Sequence, residues 1–225
     1  MNNKTTGRAI VTFARGWQTL VAVRSLGRRG VEVITGDQYS MTPGSLSKYS
    51  TGKFKYPDPE KDPSGFLDAL EKVVIENKPE DGRPYVLLPI HKESYLIAKH
   101  RERFEQHIAL ALPGIEQIMQ VHNKGTLAAY AQKTGLPMPC TWIPETVDAF
   151  HKKLQEMTVP AFVKIRESSS GVGIDKVDTH EELEHTFLKF IDQFDLKSGD
   201  LPIIQSLVPG DDYCVTTLFN RGKLE

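Results

Sequence analysis

Apolar residues in the first third of the chain alternate between short continuous runs and runs with helical spacing. Continuous runs at residues 9–13, 31–35 and 84–89 are typical of strands buried on both faces of a sheet. Helical spacing at residues 17–26 and 64–74 lies between them. A strand, a helix and a strand within about thirty residues predict a βαβ unit with parallel strands. The pattern therefore predicts an open α/β domain.

The helix at residues 17–26 is predicted to pack against the sheet of this domain. Its apolar side chains, Trp17 and Val21 among them, are predicted to form one broad face against the sheet. A short strand is also expected near Phe54, within a stretch otherwise rich in Ser, Gly, Pro and Tyr.

The pattern changes at Pro113, where the predicted first domain ends at residue 112. Helices are predicted at residues 115–120, 124–134, 147–157 and 180–194, and strands at 161–165, 173–177, 203–207 and 213–219. Thr179 and Glu182 form a capping box at the start of the last helix. The turn at residues 220–223 is typical of a hairpin, which needs a return strand, and no return strand is predicted after it. This favours either a piece of a longer protein or an unusual end to the fold.

Composition excludes several classes of protein. Lys plus Arg is 28 and Asp plus Glu is 29, and a net charge of −1 argues against a nucleic-acid binder. Two separated cysteines, Cys140 and Cys214, exclude a disulfide framework and a Cys-rich zinc site. No metal motif and no Gly-x-Ser-x-Gly motif occurs, so no metal ligand is predicted. Without a long apolar run or a signal-like start, a cytoplasmic protein is expected.

Three stretches carry residues that could do chemistry. Lys164 ends a predicted strand and precedes a Ser/Gly-rich loop, a combination that can close on phosphate oxygens. Lys124 opens a helix, where the helix dipole does not favour a lysine. Residues 203–213 run from a strand into a Gly turn with two acids, which could contact a base and a ribose. Each stretch taken alone also fits an ordinary hairpin or a solvated surface.

The order of these stretches resembles the ATP-grasp superfamily. Residues 164–177 look like the corresponding loop of D-alanine–D-alanine ligases. The first domain, with Tyr56-Pro57-Asp58-Pro59 and Leu87-Leu88-Pro89, resembles the preceding domain of the carbamoyl-phosphate-synthase-like carboligases. The resemblance implies a Rossmann-like pre-ATP-grasp domain at residues 1–112. The first, incomplete lobe of an α+β ATP-grasp domain would follow at residues 113–225.

The resemblance also implies roles for individual residues. Lys124 and Lys164 would be the catalytic lysines on the ATP phosphates. The mobile loop over the phosphates would comprise Ser168, Ser169, Ser170, Gly171, Val172 and Gly173. Gln205 stands near the adenine amino group, where the family more often has Glu. The connector Ser206, Leu207 and Val208 would contact adenine, and Asp212 the ribose.

The activity implied is that of an ATP- and Mg²⁺-dependent ligase. It would activate a small-molecule carboxylate as an acyl phosphate for attack by an amine or another nucleophile. The family's Mg²⁺ ligands are expected beyond residue 225, so these residues alone are expected to catalyse little or nothing. Neither nucleic acid nor membrane is an expected partner, and a homodimer is one expected assembly.

Two other hypotheses stay open. The chain could be a non-catalytic ATP/ADP-binding module or half of a split enzyme. It could also be a Rossmann-type oxidoreductase, but residues 13–17 lack the G-x-G-x-x-G fingerprint. In the ligase hypothesis, Arg15, His91 and Glu93 are the candidates for substrate binding, since they follow strands of the first domain.

Overall fold

The computed structural model describes residues 5–168, 171–220 and 222–224. The chain divides into two compact units, one up to Ile118 and one from Met119 onward. Each unit has a hydrophobic core built from its own residues. Within the described part of the chain, no helix combines the length and apolarity needed to cross a membrane.

The first unit contains one parallel sheet. Its strands are β1 (Gly7–Val11), β2 (Val31–Asp37), β3 (Ser50–Lys55), β4 (Tyr85–Leu88) and β5 (Ala109–Leu110). Its helices are α1 (Trp17–Arg28), α2 (Pro63–Glu76), α3 (Glu93–Lys99) and α4 (Glu102–Glu105). The strand order is β3-β2-β1-β4-β5, with every pair parallel. The order of the strands reverses between β1 and β4, and open α/β sheets bind ligands at such a position.

Apolar side chains project from both faces of this sheet. Ile10 and Leu87 lie in one cluster with Phe66 and Leu70 of α2. Val11, the neighbour of Ile10, lies in a second cluster with residues of α1 and β2. Because both faces are buried, the strands need no polar alternation, which explains the continuous apolar runs in the sequence.

Helix α1 corrects one expectation. Leu20 and Val23 are buried, but Trp17 is 73% exposed and Val21 is 67% exposed. A helix that packs on one face of a sheet buries a single stripe, and positions four apart share a stripe. Trp17 and Val21 therefore lie together on the outer side of α1, and the predicted face was too broad.

The second unit combines helices with an antiparallel sheet. The helices are α5 (Ile115–His122), which spans the division between the units, α6 (Lys124–Thr134), α7 (Val147–Lys153) and α8 (His180–Gln193). The strands are β6 (Thr141–Trp142), β7 (Ala161–Lys164), β8 (Ile174–Val177) and β9 (Ile203–Ser206), in the order β6-β9-β7-β8.

The core of this unit centres on two helices. Phe150 of α7 and Phe187 of α8 stack with their ring centroids 3.8 Å apart. Thr179 caps α8, because its side chain accepts a hydrogen bond from the Glu182 N–H. Helix α7 ends earlier than predicted and continues as a short 3-10 turn, Leu154–Glu156.

The predicted strand at residues 213–219 is wrong over most of its length. Only Phe219–Asn220 (β10) is extended and paired, and its partner is Lys223–Leu224 (β11). A strand needs a neighbour for its backbone groups, and Tyr213 and Val215 are more than four-fifths exposed. Lys223–Leu224 is a return strand that the sequence analysis did not predict, and Arg221 of the predicted turn lies outside the described residues.

Candidate functional site

Lys164 lies at the end of β7 on the sheet face away from the core. Ala161 and Val163 point into the hydrophobic cluster, so Phe162 and Lys164 occupy the other face. The Lys164 ammonium group donates to Gln205 Oε1 at 2.7 Å. It also lies 5.2 Å from the centroid of the Phe162 ring. An amide oxygen and an aromatic face therefore fix the position of this lysine.

Lys124 is held at the first position of α6. Asn123 caps the helix with its side-chain oxygen, which accepts from the Gly125 N–H at 2.9 Å. The backbone N–H of Lys124 donates to the carbonyl oxygen of Arg166 at 3.0 Å. The Lys124 ammonium group donates to Ser168 Oγ at 2.8 Å. The start of α6 is thus fastened to the connection between β7 and β8.

The two lysines form a positive site with neutral contacts. Burial lowers the pKa of both ammonium groups, and the charge of Lys124 lowers the pKa of Lys164 further. Their hydrogen-bond acceptors are an amide, a hydroxyl and backbone carbonyl groups. Among the described residues, neither ammonium group forms a salt bridge with a carboxylate. The charge of Glu167 acts on Lys124 in the opposite sense and raises its pKa, but no salt bridge joins the two, so the lysine pair can still attract an anion.

The predicted phosphate loop is described only in part. Ser169 and Ser170 lie outside the described residues. Gly171 and Gly173 both have positive φ, at 80° and 63°. The Gly173 carbonyl accepts from the Ile165 N–H at 2.9 Å, which closes the end of the loop next to Lys164.

The predicted connector lies along β9 and just beyond it. The Ser206 N–H donates to the Cys140 carbonyl at 2.9 Å, and the Leu207 N–H donates to the Pro160 carbonyl at 3.1 Å. Both donors are thus used within the fold. Val208 and Asp212 are exposed. In the part of the chain that the structure describes, no contact joins Asp212 to either lysine.

The first unit brings its three predicted substrate residues to one cavity. Arg15, His91 and Glu93 all line a cavity of about 420 Å³. Arg15 follows β1, and His91 and Glu93 follow β4, so the cavity lies at the carboxyl edge of the sheet. This is the position expected for a ligand in a parallel sheet.

Arg15 is already paired with a buried acid that the sequence analysis missed. Its guanidinium lies 2.6 Å from Asp37 Oδ1, and Asp37 is 1% exposed. The same guanidinium lies over the Phe13 ring, and Phe13 stacks on His91 with centroids 4.4 Å apart. Asp37 ends β2, and an acid at the carboxyl end of a buried strand was the signal that could have revealed it.

Glu93 is a second buried acid of this edge. Tyr56 donates its hydroxyl proton to Glu93 Oε1 at 2.9 Å and accepts from the Phe13 N–H at 2.9 Å. Burial raises the pKa of Glu93 and also raises the pKa of Tyr56. This chain of hydrogen bonds stabilises Phe13 at its positive φ of 55°, an uncommon conformation for a residue with a side chain.

The fold of the chain is similar to the folds of several solved proteins. No protein-family model matches the chain. The N5-carboxyaminoimidazole synthetase from Staphylococcus aureus, solved with ADP, is 14% identical with a TM-score of 0.65; the match covers 92% of this chain and 49% of that one. An L-amino acid ligase from Bacillus licheniformis is 16% identical with a TM-score of 0.64, over 92% and 45% of the two chains. These neighbours are ATP-grasp ligases. The chain has the fold of the amino-terminal portion of ATP-grasp ligases.

A curated sequence relative agrees with this ATP-grasp fold. The formate-dependent phosphoribosylglycinamide formyltransferase of Acinetobacter baumannii is 25% identical over 202 residues, which are 89% of this chain and 46% of that protein. The chain thus spans about half the length of the relatives it matches. The predicted fold class is confirmed, whereas the roles of individual residues stay predictions.

Proposed function

We propose that the second unit binds the phosphate groups of an adenine nucleotide on Lys124 and Lys164. The observation that carries this proposal is the pair of ammonium groups from α6 and β7, held by neutral oxygen atoms. A phosphate group is the ligand that such a pair fits, since it supplies several charged acceptor oxygens. The ADP complex of a protein with the same fold supports the choice of nucleotide.

We further propose that the nucleotide is ATP and that the protein is a carboxylate ligase. A carboxylate oxygen would attack the γ-phosphorus, and the bond from that phosphorus to the bridging oxygen would break as ADP leaves. An amine would then attack the acyl carbon, release phosphate and lose a proton. Lys124 and Lys164 would offset the charge that develops on the phosphoryl oxygens. The similarity of the fold to that of an L-amino acid ligase supports this class of reaction.

The proposed reaction also needs a Mg²⁺ ion and an acceptor substrate. The described residues contain no group of three or more His, Cys, Asp or Glu side chains suited to a metal ion, so no Mg²⁺ ligand is assigned among them. Mg²⁺ binding stays a prediction. The cavity with Arg15, His91 and Glu93 is our candidate for the acceptor substrate. Its mixed charges suit a substrate with both donor and acceptor groups.

Lysine substitutions test the nucleotide site. Lys164→Ala and Lys124→Ala are each expected to weaken ADP binding by about tenfold or more, because each removes a charge-assisted hydrogen bond to phosphate. Isothermal titration calorimetry with ADP measures the loss. Lys152→Ala, on the exposed side of α7, is the matched control and should bind ADP like the wild type.

The outcomes separate the hypotheses. Equal affinity in the wild type and in Lys164→Ala would sink the assignment of that lysine. ADP binding without ATP turnover, across a panel of carboxylates and amines, would favour the non-catalytic module or the split enzyme. A homodimer also stays a prediction, which the mass of the particle in solution decides.

A further inference from the structure

The sheet face that carries Lys164 carries a row of polar side chains from three neighbouring strands. Thr141 of β6 lies opposite Gln205 of β9. Gln205 lies opposite Phe162 of β7, two residues before Lys164. Residues opposite or diagonal on one face of a sheet are within side-chain reach. The row therefore leads from Thr141 through Gln205 to Lys164.

The hydrogen bonds along this row have a fixed direction. Thr141 donates its hydroxyl proton to the Pro139 carbonyl at 2.8 Å, so its oxygen can only accept from Gln205. The Gln205 Nε2 group donates to it at 2.9 Å, which turns Gln205 Oε1 toward the Lys164 ammonium at 2.7 Å. The flipped amide would set an NH₂ group against an ammonium group, and neither can accept.

We propose that Thr141 and Gln205 are positioning residues for Lys164: Thr141 fixes the Gln205 amide, and the amide oxygen aims the ammonium group. The inference deepens the proposed function, since Lys164 is the phosphate-binding lysine there. A neutral acceptor aligns the lysine and leaves its charge available to an anion. A glutamate at position 205, the residue that the resemblance makes more frequent there, would instead form an ion pair with Lys164.

The burial of Thr141 fits this role. The residue is 7% exposed, and both functions of its hydroxyl group are used. A buried hydroxyl group without hydrogen-bond partners destabilises a fold. The Thr141 hydroxyl has both partners, and its bond to Gln205 orients the side-chain amide on the neighbouring strand. The only charged group that perturbs the pKa of Lys164 among its described neighbours is Lys124, which all the variants below retain.

The test is an NMR titration of Lys164 in protein with ¹³C-labelled lysine, with the resonance assigned by its loss in Lys164→Arg. Gln205→Glu is expected to raise the pKa of Lys164 by about 1 or more, because it adds an opposite charge within contact distance. Valine has nearly the same shape as threonine, but Thr141→Val removes the hydrogen bond that fixes the Gln205 amide. This variant is expected to lower the pKa of Lys164, because the ammonium group loses a fixed acceptor. Thr141→Ser keeps the hydroxyl group and should titrate like the wild type.

Calorimetry with ADP on the same proteins separates this inference from the proposed function. Thr141→Val is expected to weaken ADP binding by about fivefold, and Thr141→Ser to leave it unchanged. In a Lys164→Ala background, Thr141→Val should have no further effect. A Lys164 pKa that is unchanged in both Gln205→Glu and Thr141→Val overturns the inference. A wild type that does not bind ADP overturns the proposed function, while the titration still decides the role of Thr141.

Discussion

Glu93 shows how a single buried carboxyl ties the fold of the first unit to pH. It is 1% exposed, and its partner is the Tyr56 hydroxyl. Burial raises its pKa, so the folded state holds this proton to a higher pH than the unfolded state does. Between the two pKa values the folded state binds more protons, and the free energy of unfolding falls as the pH rises through that window.

Glu93→Gln should remove this fall, because the amide is neutral at every pH and its oxygen can still accept from Tyr56. We expect the variant to be more stable than the wild type at pH 8, and to differ little from it at pH 4. Thermal unfolding at a series of pH values measures the difference. Glu116→Gln, at an exposed position of α5, is the control and should show no gain that depends on pH. A gain of the same size at pH 4 and pH 8 would contradict the assignment.

Sequence reasoning at this scale found residues with a local signature and missed residues defined by distant contacts. Lys124 opens a helix and Lys164 ends a strand, and both features are visible in a few neighbouring letters. The Arg15–Asp37 pair joins residues 22 apart, and the Thr141–Gln205 pair joins residues 64 apart. Such pairs depend on strand order and register, which one sequence does not specify.

At the scale of elements, the strands of the first unit were predictable and the segment at residues 213–218 was not. Strands β1, β2 and β4 are buried on both faces, so their apolar runs carry the signal by themselves. Residues 213–218 have the same kind of composition, but no strand among the described residues pairs with them. Apolar composition reports the capacity to form a strand, and pairing decides whether one forms.

The connection between β7 and β8 depends on one glycine. Gly173 has a φ of 63°, and a Cβ atom there would lie 2.5 Å from the Ile165 side chain. Ile165 cannot move away easily, because it is 6% exposed and belongs to the core of the second unit. The glycine is therefore required by conformation and by space together.

Gly173→Ala is expected to lower the free energy of unfolding by about 3 kcal/mol, from backbone strain and overpacking combined. Gly135→Ala is the matched control, since Gly135 has a φ of 69° and open space around its Cβ position. The control should lose only about 1 kcal/mol, from strain. Urea unfolding of both variants gives the comparison, and equal losses would show that the contact with Ile165 adds nothing.

For the whole molecule, the order of elements predicted an open α/β first domain, and the resemblance of the three motifs to the ATP-grasp superfamily predicted the rest of the fold class. The chain has a parallel sheet followed by a smaller antiparallel sheet, and its fold matches that of the amino-terminal region of ATP-grasp ligases. Each sheet has its own core, with Leu70 in the first unit and Phe187 in the second. Stability is therefore carried by two separate sets of contacts.

Core substitutions should show this separation. Leu70→Ala and Phe187→Ala are each expected to cost about 3 to 5 kcal/mol, because both side chains are fully buried. Hydrogen exchange followed by mass spectrometry should find faster exchange in the first unit for Leu70→Ala and in the second unit for Phe187→Ala. Each variant serves as the control for the other. Acceleration across both units by either variant would show that the cores are coupled.

The neutral contacts of Lys124 and Lys164 have a practical consequence for work in solution. Since neither ammonium group forms a salt bridge with a carboxylate among the described residues, anions of the buffer can bind to them. Phosphate and sulfate have the same charge-bearing oxygens as the proposed ligand and compete for the same place. An apparent dissociation constant for ADP in phosphate buffer is then larger than its value in a chloride or HEPES buffer. The choice of buffer salt becomes part of the binding measurement.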